Sequence, residues 1–140
     1  MDIFGLSSGS RALGRALGRI VGDGTQAHHL IPEITWNRNA NFLNSIGLTR
    51  NMRDQASNGL LMPNSRANAS AMGRRIFHSS RHRQYTALVE RKLGRIASSF
   101  NMGEINSTQA RQRVESLQRS LRKKINSGRI STKLLCGRLS

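Results

Sequence analysis

The four histidines of this chain fall into two close pairs. His28 and His29 are adjacent, whereas three residues separate His78 from His82. Side chains four residues apart share one face of a helix, so His78 and His82 can bind one metal ion even if His78 lies just before the helix. Adjacent side chains of a strand point to opposite faces, so His28 and His29 are predicted to have different roles. One of them can bind the ion, and the other can take a proton from water as a neutral imidazole.

The charge of the chain predicts a polyanionic partner. Its 140 residues include 23 Lys and Arg against 7 Asp and Glu, which gives a formal net charge of +16. Such an excess repels itself in a compact fold unless a polyanion neutralises it, and nucleic acid is the first candidate. Residues 81–140 contain 14 basic and 3 acidic residues, a difference of +11, so this half is expected to face the phosphates. The candidate backbone contacts are Arg119, Arg122, Lys123 and Lys124, for which a solvated helix face is the alternative.

The composition excludes several classes of protein. With 36% hydrophobic and 4% aromatic residues the chain can bury a small core, which excludes a large layered α/β enzyme. The single cysteine, Cys136, excludes an internal disulfide framework and a multi-cysteine zinc site. The most apolar segment is interrupted by Arg11, Arg15 and Arg19, so the sequence predicts neither a membrane span nor a secretory signal peptide.

Hydrophobic periodicity predicts several helices and two short strands. A tandem ALGR repeat is typical of a short amphipathic helix, whose apolar stripe consists of Leu13, Leu17, Ile20 and Val21. Tyr85 opens a second apolar stripe and is predicted to be a core residue rather than a catalyst. The predicted elements are helices at 9–22, near 40–46, at about 80–99 and at about 108–126, an edge strand entering a bend at 28–36, and a strand at 60–62 after an Asn58-Gly59 turn.

Three separated blocks of the sequence contain the four histidines and Asn58. They are Gln26-Ala27-His28-His29-Leu30-Ile31-Pro32, Asn58-Gly59-Leu60-Leu61-Met62-Pro63 and His78-x-x-x-His82-x-x-Tyr85. With these blocks, residues 25–95 resemble the AHH nucleases of the HNH/endonuclease VII superfamily, most of which are C-terminal toxin domains of bacterial polymorphic toxin systems. The resemblance implies an α+β fold of the ββα-metal type. In that fold the first strand of a β-hairpin is expected to begin at the histidine pair, and the start of a helix supplies further metal ligands.

The resemblance also implies roles for individual residues. His28, His78 and His82 match the ligands of one divalent metal ion, for which Mg and Zn are favoured and Mn, Ni and Co are compatible. His29 matches the general base, and Asn58 matches an asparagine that either orients the base or ties the hairpin together. Ser79-Ser80-Arg81 departs from the pattern of the relatives, which often have glycine and serine here, and Arg81 is a candidate contact to the scissile phosphate that the family itself does not imply.

The chain is expected to consist of a nuclease core with helical additions at both ends. Residues 1–24 form a helix or linker segment, residues 25–100 form the AHH/HNH-like core, and residues 101–140 form a basic helical extension. Together with the resemblance, these parts imply an α+β, ββα-metal architecture with additional helices.

These features predict a metal-dependent endonuclease that cleaves DNA with little sequence preference, because contacts from Lys and Arg to phosphates carry no base information. The resemblance to toxin domains implies an antibacterial effector, delivered without a Sec signal peptide, that acts in the cytoplasm of a target cell. The charge of the chain then implies an acidic cognate immunity protein. Two alternatives stay open, namely an RNase toxin on the same scaffold and a noncatalytic basic nucleic-acid-binding protein.

Overall fold

The fold is organised around a two-stranded antiparallel hairpin. The computed structural model that shows it describes residues 8–72, 76–77, 83–130 and 137–138. Strand β1 (Thr25–His29) pairs with strand β2 (Gly59–Pro63), and His29 lies opposite Gly59. Helices pack around this hairpin, which confirms the predicted α+β class.

The helices lie before, between and after the two strands. In chain order the elements are α1 (Ser8–Ala16), β1, α2 (Glu33–Arg38), α3 (Ala40–Ser45), two 3₁₀ helices (Arg50–Asp54 and Ala56–Asn58), β2, α4 (Arg66–Ala71), β3 (Ile76–Phe77), α5 (Arg83–Asn101), α6 (Ser107–Asn126) and β4 (Gly137–Arg138). Strands β3 and β4 form a second, shorter antiparallel sheet. None of the helices in the described ranges is long and apolar enough to cross a membrane.

The long helices follow their hydrophobic periodicity closely. The predictions of a helix near 40–46, a strand at 60–62 and a helix at 108–126 are confirmed by α3, β2 and α6. Helix α6 begins with a reciprocal cap, because the Asn106 side chain accepts a hydrogen bond from the Gln109 N–H and the Gln109 side chain accepts one from the Asn106 N–H. It ends where Gly128 takes a positive φ of 71°.

The strand predicted at 28–36 is wrong in its position. Strand β1 ends at His29, so the histidine pair lies at the end of the strand rather than at its beginning. Pro32 then starts helix α2, because its φ of −55° suits a helix start and its carbonyl accepts the Trp36 N–H. The apolar residues Leu30 and Ile31 are fully buried after the strand, so they enter the core without being part of a sheet.

The predicted Asn58-Gly59 turn is also wrong. Asn58 is the last residue of a 3₁₀ helix, and Gly59 is the first residue of β2. The strands of the hairpin are instead joined by the long connection 30–58, which contains α2, α3 and both 3₁₀ helices. This connection is therefore what determines which side chains surround the end of β1.

Helix α1 is shorter than the predicted helix at 9–22. It ends at Ala16, and Gly18 follows with a positive φ of 79°, which a glycine adopts at little cost. The side chains of Ile20 and Val21 are 71% and 89% exposed, so the predicted apolar stripe does not extend to them. Leu13 is fully buried and packs against β2.

The main core lies between the hairpin connection and the two long helices. Its members come from the segment after β1 and from α2, α3, β2, α5 and α6, and include Leu30, Ile31, Trp36, Leu43, Met62, Tyr85, Val89, Leu93, Val114, Leu121 and Ile125. Helices α5 and α6 pack against each other through this core. The hairpin is thus held between α1 on one side and the long helices on the other.

The contact between α1 and β2 gives a stability prediction. A Cβ atom added to Gly59 would lie 2.5 Å from Leu13 Cδ1 and 2.8 Å from Leu17 Cδ1, so Gly59→Ala is expected to destabilise the protein by about 1–3 kcal/mol. Gly94→Ala is the matched control, because an added Cβ at this position in α5 meets no atom within 4 Å and alanine favours a helix by up to about 1 kcal/mol. Urea unfolding checks both variants. Equal stability of Gly59→Ala and the parent would contradict the packing of α1 on the hairpin.

Candidate active site

The two adjacent histidines at the end of β1 lie in different environments. His28 is buried, and its ring packs edge-on against the ring of Tyr85 in α5, with 5.0 Å between the ring centroids. His29 contacts Asp54 in the first 3₁₀ helix, with 2.9 Å between Nε2 and Oδ1. The prediction that adjacent strand residues separate the two rings is therefore confirmed.

The contact with Asp54 determines which nitrogen of His29 can accept a proton. An ionised carboxylate only accepts hydrogen bonds, so the His29 Nε2–H donates to Asp54 Oδ1. The neutral ring then carries its lone pair on Nδ1. Glu33 Oε1 lies 3.7 Å from this Nδ1, which is too far for a hydrogen bond. The arrangement holds the imidazole in one orientation and leaves Nδ1 as the basic atom.

A buried arginine binds Asp54 and lies near Glu33. Arg53 is 4% exposed, and its Nε and Nη2 donate to Asp54 Oδ1 and Oδ2 at 3.0 and 3.1 Å. Its Nη1 donates to Asn37 Oδ1 at 3.1 Å, and its Nη2 lies 3.9 Å from Glu33 Oε2. Two hydrogen bonds to one carboxylate fix the geometry of an arginine more firmly than a single contact does. Arg53 therefore fixes the carboxylate that holds His29.

Asp54 stays ionised in this environment. Burial by itself raises the pKa of the Asp54 carboxyl, but hydrogen bonds from Arg53 and His29 and the positive charge of Arg53 outweigh it, so the pKa is lowered from its ordinary value of 3.8.

His29, Glu33 and Asp54 also form a possible metal-binding group. They offer an imidazole nitrogen and two carboxylate oxygens within 4.8 Å of one another, and in the part of the chain that the structure describes this is a donor set that suits a divalent cation. The guanidinium of Arg53 already contacts Asp54 and lies near Glu33, and its positive charge opposes a cation at the same place.

The sequence predictions missed Glu33, Arg53 and Asp54. One signal was available, because Glu33 follows the histidine pair by four residues and is one of only seven acidic residues in a chain of charge +16. Nothing in the sequence connects Asp54 to His29, since Asp54 is 25 positions further along the chain and the contact depends on the path of the connection.

Asn58 ties the hairpin connection together. It is fully buried, and its Oδ1 accepts from the Ile31 N–H at 2.9 Å and from Gln118 Nε2 at 3.1 Å. Its Nδ2 donates to the carbonyls of Ile31 and Arg53 at 3.0 and 2.9 Å. These bonds join the end of β1, the 3₁₀ helix that carries Asp54, and α6. Of the two roles expected for Asn58, they favour the tie over a direct contact with His29.

The four predicted phosphate contacts on α6 differ in their exposure and in their hydrogen-bond partners. Arg119, Arg122 and Lys123 line one open depression of about 550 Å³, whereas Lys124 is exposed outside it. Arg122 Nη2 lies 3.2 Å from the carbonyl oxygens of Ala56, Ser57 and Gly59, so it satisfies backbone acceptors at the start of β2. Arg119 Nη2 donates to the Ser116 hydroxyl at 3.0 Å.

The predicted ligands His78 and His82 and the predicted phosphate contact Arg81 lie outside the described residues.

The amino end of α1 covers the His29 group. A Cβ atom added to Gly9 would lie 2.6 Å from both Arg53 Nη2 and Glu33 Oε1. Gly9 therefore packs closely against Arg53 and Glu33, and the nearby side chain of His29 is only 7% exposed. Helix α1 is thus a wall of the site as well as a support of the hairpin.

Tyr85 is expected to support the site without taking part in chemistry. Its hydroxyl donates to the Leu30 carbonyl at 2.6 Å, and burial raises the pKa of the phenol, so it stays protonated. Tyr85→Phe keeps the ring that packs on His28 but leaves the buried Leu30 carbonyl without this donor, which is expected to cost about 1–3 kcal/mol of folding free energy. Thermal unfolding checks this loss. Cleavage by the folded variant is expected to stay within a few-fold of the parent, and a larger loss would make the hydroxyl part of the chemistry.

Comparison with known proteins identifies a nuclease family. The model of a family described as "a nuclease family of the HNH/ENDO VII superfamily with conserved AHH" matches residues 12–121. This match covers more than half of the chain, so it confirms the family resemblance and agrees with a ββα-metal fold. Neither the curated proteins nor the solved structures give a match. The family implies a nucleic-acid substrate, and its HNH type indicates a divalent metal.

Proposed function

Because this chain belongs to the AHH nuclease family of the HNH/endonuclease VII superfamily, we propose that it is a metal-dependent endonuclease that hydrolyses DNA phosphodiester bonds with little sequence preference. The observation that carries this proposal is the hydrogen bond from His29 Nε2 to Asp54 Oδ1. This bond leaves Nδ1 of an oriented imidazole to take the proton of an attacking water, which is the part of a general base in hydrolysis.

In this proposal one divalent ion, Mg or Zn, is held by His28, His78 and His82. Two features support His28 as a ligand: its ring lies against Tyr85 in the first turn of α5, and His82 is the residue directly before α5 in the sequence. The ion, when bound, neutralises charge on the phosphate and stabilises the leaving 3′-oxygen. Three imidazoles form a borderline donor set, so Mn, Ni and Co are compatible as well.

Arg53 favours His29 as a base over His29 as a metal ligand. A dication among His29, Glu33 and Asp54 would lie within a few ångströms of a buried guanidinium, and like charges repel strongly where solvent screening is weak. Arg53 is already hydrogen-bonded to Asp54, and Asp54 orients the His29 ring. We therefore assign the metal to the His28 face of β1 and the proton transfer to the His29 face.

The proposed biological role is that of an antibacterial effector acting in the cytoplasm of a target cell. A cell that makes a nonspecific nuclease needs protection, so a cognate immunity protein is part of the proposal. The net charge of +16 supports an acidic partner, since opposite charges accelerate association. The same charge supports low sequence preference, because contacts to phosphates carry no base information.

The proposal is tested with supercoiled plasmid and total RNA offered to the same purified protein. With Mg or Zn present, nicking and linearisation of the plasmid are expected, and EDTA is expected to stop them. The His29→Ala protein, purified in parallel, controls for contaminating nucleases. Digestion of RNA alone would identify an RNase, and binding of DNA without cleavage in any of the five metals would identify a noncatalytic binding protein.

A further inference from the structure

A groove runs between helix α1 and strand β1. It encloses about 230 Å³, and its walls include Arg11, Arg15 and Arg19 from the side of α1 and Gln26 and Ala27 from the strand. We call it the α1 groove. Its volume suits a small group rather than a folded partner, and its lining is rich in guanidinium groups, which suit phosphate oxygens.

The arginines of the α1 groove are spaced along one side of α1. Arg11 and Arg15 are four residues apart, so they share a helix face, and both are exposed. Arg19 follows after the helix, and its Nε donates to the Thr25 carbonyl at 2.7 Å. This bond fixes the guanidinium at the end of the groove next to Thr25. Gly14 lies beside Arg19, since a Cβ atom there would be in ordinary van der Waals contact with Arg19 Cδ at 3.4 Å.

The acidic residue beside Arg19 is engaged elsewhere. Asp23 Oδ1 accepts from the backbone N–H and the hydroxyl of Thr25 at 2.9 and 2.6 Å, and its Oδ2 accepts from the Ile20 N–H at 3.0 Å. These bonds lower the pKa of the Asp23 carboxyl and close the loop between α1 and β1. Asp23 thus shapes the end of the groove and offsets only part of its positive charge.

The α1 groove lies on the same face of β1 as His29. Ala27 lines the groove, and side chains two residues apart in a strand point to the same face, so His29 follows Ala27 at a distance of about 7 Å along the strand. Helix α1 runs alongside this face, because Gly14 lies near Ala27 and Gly9 lies against Glu33 and Arg53. A distance of about 7 Å is close to two phosphate steps of a nucleic-acid strand along its axis.

We propose that the α1 groove binds a backbone phosphate of the substrate strand about two phosphates away from the phosphodiester that is cleaved. This inference rests on the proposed nuclease function and assigns part of the substrate site to α1. Arg11 and Arg15 bind the phosphate, and Arg19 positions the groove end. Arg122 on α6 is held by three backbone carbonyls, so α6 is the less suitable place for the reacting strand.

The first test changes charge without touching the fold. Val21 lines the groove and is 89% exposed, so both Val21→Glu and its isosteric control Val21→Gln are expected to fold as the parent does. In the His29→Ala background, fluorescence anisotropy with a labelled 20-base-pair DNA duplex measures binding without cleavage. Val21→Glu is expected to weaken DNA binding several-fold relative to Val21→Gln. Equal affinities of the two variants would overturn the proposal.

The second test compares two matched pairs of arginines. Arg11→Gln/Arg15→Gln removes two charges four residues apart on α1, and Arg91→Gln/Arg95→Gln removes two exposed charges with the same spacing on α5. The α1 pair is expected to weaken DNA binding about tenfold more than the α5 pair. It is also expected to reduce the slope of log K against log[salt] by about 1, the effect of one lost phosphate contact. Equal losses would mean that only net charge matters, and the proposal would be wrong.

Cleavage by the parent separates this inference from the proposed function. If the parent cleaves plasmid and the α1 variants bind DNA like the parent, the groove is not a phosphate site, although the nuclease function stands. If the parent cleaves nothing but the α1 variants still lose DNA affinity as described, the groove is a phosphate site, and the proposed nuclease function is wrong.

Discussion

Replacing His29 by alanine is expected to reduce plasmid cleavage by about 10²–10⁴-fold, the usual contribution of a positioned general base. The reason is the fixed orientation of the ring, in which Nε2 donates to Asp54 and Nδ1 is left to take the proton of the attacking water. Metal affinity and DNA affinity are expected to stay at the parental level, because this ring lies on the opposite face of β1 from His28. Plasmid nicking, metal titration and DNA binding are measured on the same preparation.

Two outcomes would contradict this assignment. If His29→Ala loses the metal ion while His28→Ala keeps it, the roles of the two histidines are exchanged. If His29→Ala nicks plasmid at the parental rate, another group is the base. Asp54→Asn is a useful companion variant, because an amide side chain can still contact Nε2 but carries no negative charge. Its cleavage rate is expected to lie between the rates of the parent and His29→Ala.

The parts of the structure that follow periodic patterns could be predicted from the sequence. Helix α6 matches its prediction to within one residue, because its apolar positions recur regularly and its ends carry the Asn106 cap and Gly128. Strand β2 was predicted from a short apolar run bounded by a proline. The separation of His28 from His29 required only the alternation of side chains along a strand.

The connection 30–58 could not be predicted, and it contains the partners of His29. Leu30 and Ile31 have the composition of a strand, but the side chain of Asn58 satisfies the backbone N–H and carbonyl of Ile31, so this segment needs no neighbouring strand. The same asparagine accepts a bond from Gln118 of α6, 60 residues away. Contacts over such distances place Asp54 beside His29, and no local pattern encodes them.

The role of a basic residue was equally hard to predict from composition. Arg122 was predicted to contact phosphates, because the chain has so few acidic residues, and no role was predicted for Arg53. In the structure Arg122 instead donates hydrogen bonds to backbone carbonyls before and within β2, and Arg53 donates to Asp54 and Asn37. In a small basic domain some arginines thus stabilise irregular backbone and buried carboxylates, and the remaining ones are left for nucleic acid.

His28→Ala and His82→Ala are each expected to weaken metal binding by more than about 100-fold, since loss of an outer-shell partner alone costs 10–100-fold. A bound ion that joins β1 to the start of α5 also stabilises the fold, by about 2.7 kcal/mol at a concentration 100 times its dissociation constant. The metal-dependent increase in melting temperature is therefore expected to disappear in both variants. This increase is the useful quantity, because His28→Ala also removes a buried ring beside Tyr85 and lowers stability without metal.

Glu33→Gln distinguishes the two possible sets of metal ligands, one that includes His28 and one that includes His29. The substitution removes a carboxylate from the His29, Glu33 and Asp54 group but leaves His28 unchanged, so metal affinity measured by isothermal titration is expected to equal that of the parent. Arg53 is the physical reason for this expectation. Its guanidinium lies beside Asp54 and near Glu33, so its positive charge would repel a cation bound between these carboxylates. If Glu33→Gln abolishes metal binding and His28→Ala does not, the ion is held on the His29 face, and His29 is then a ligand rather than the base.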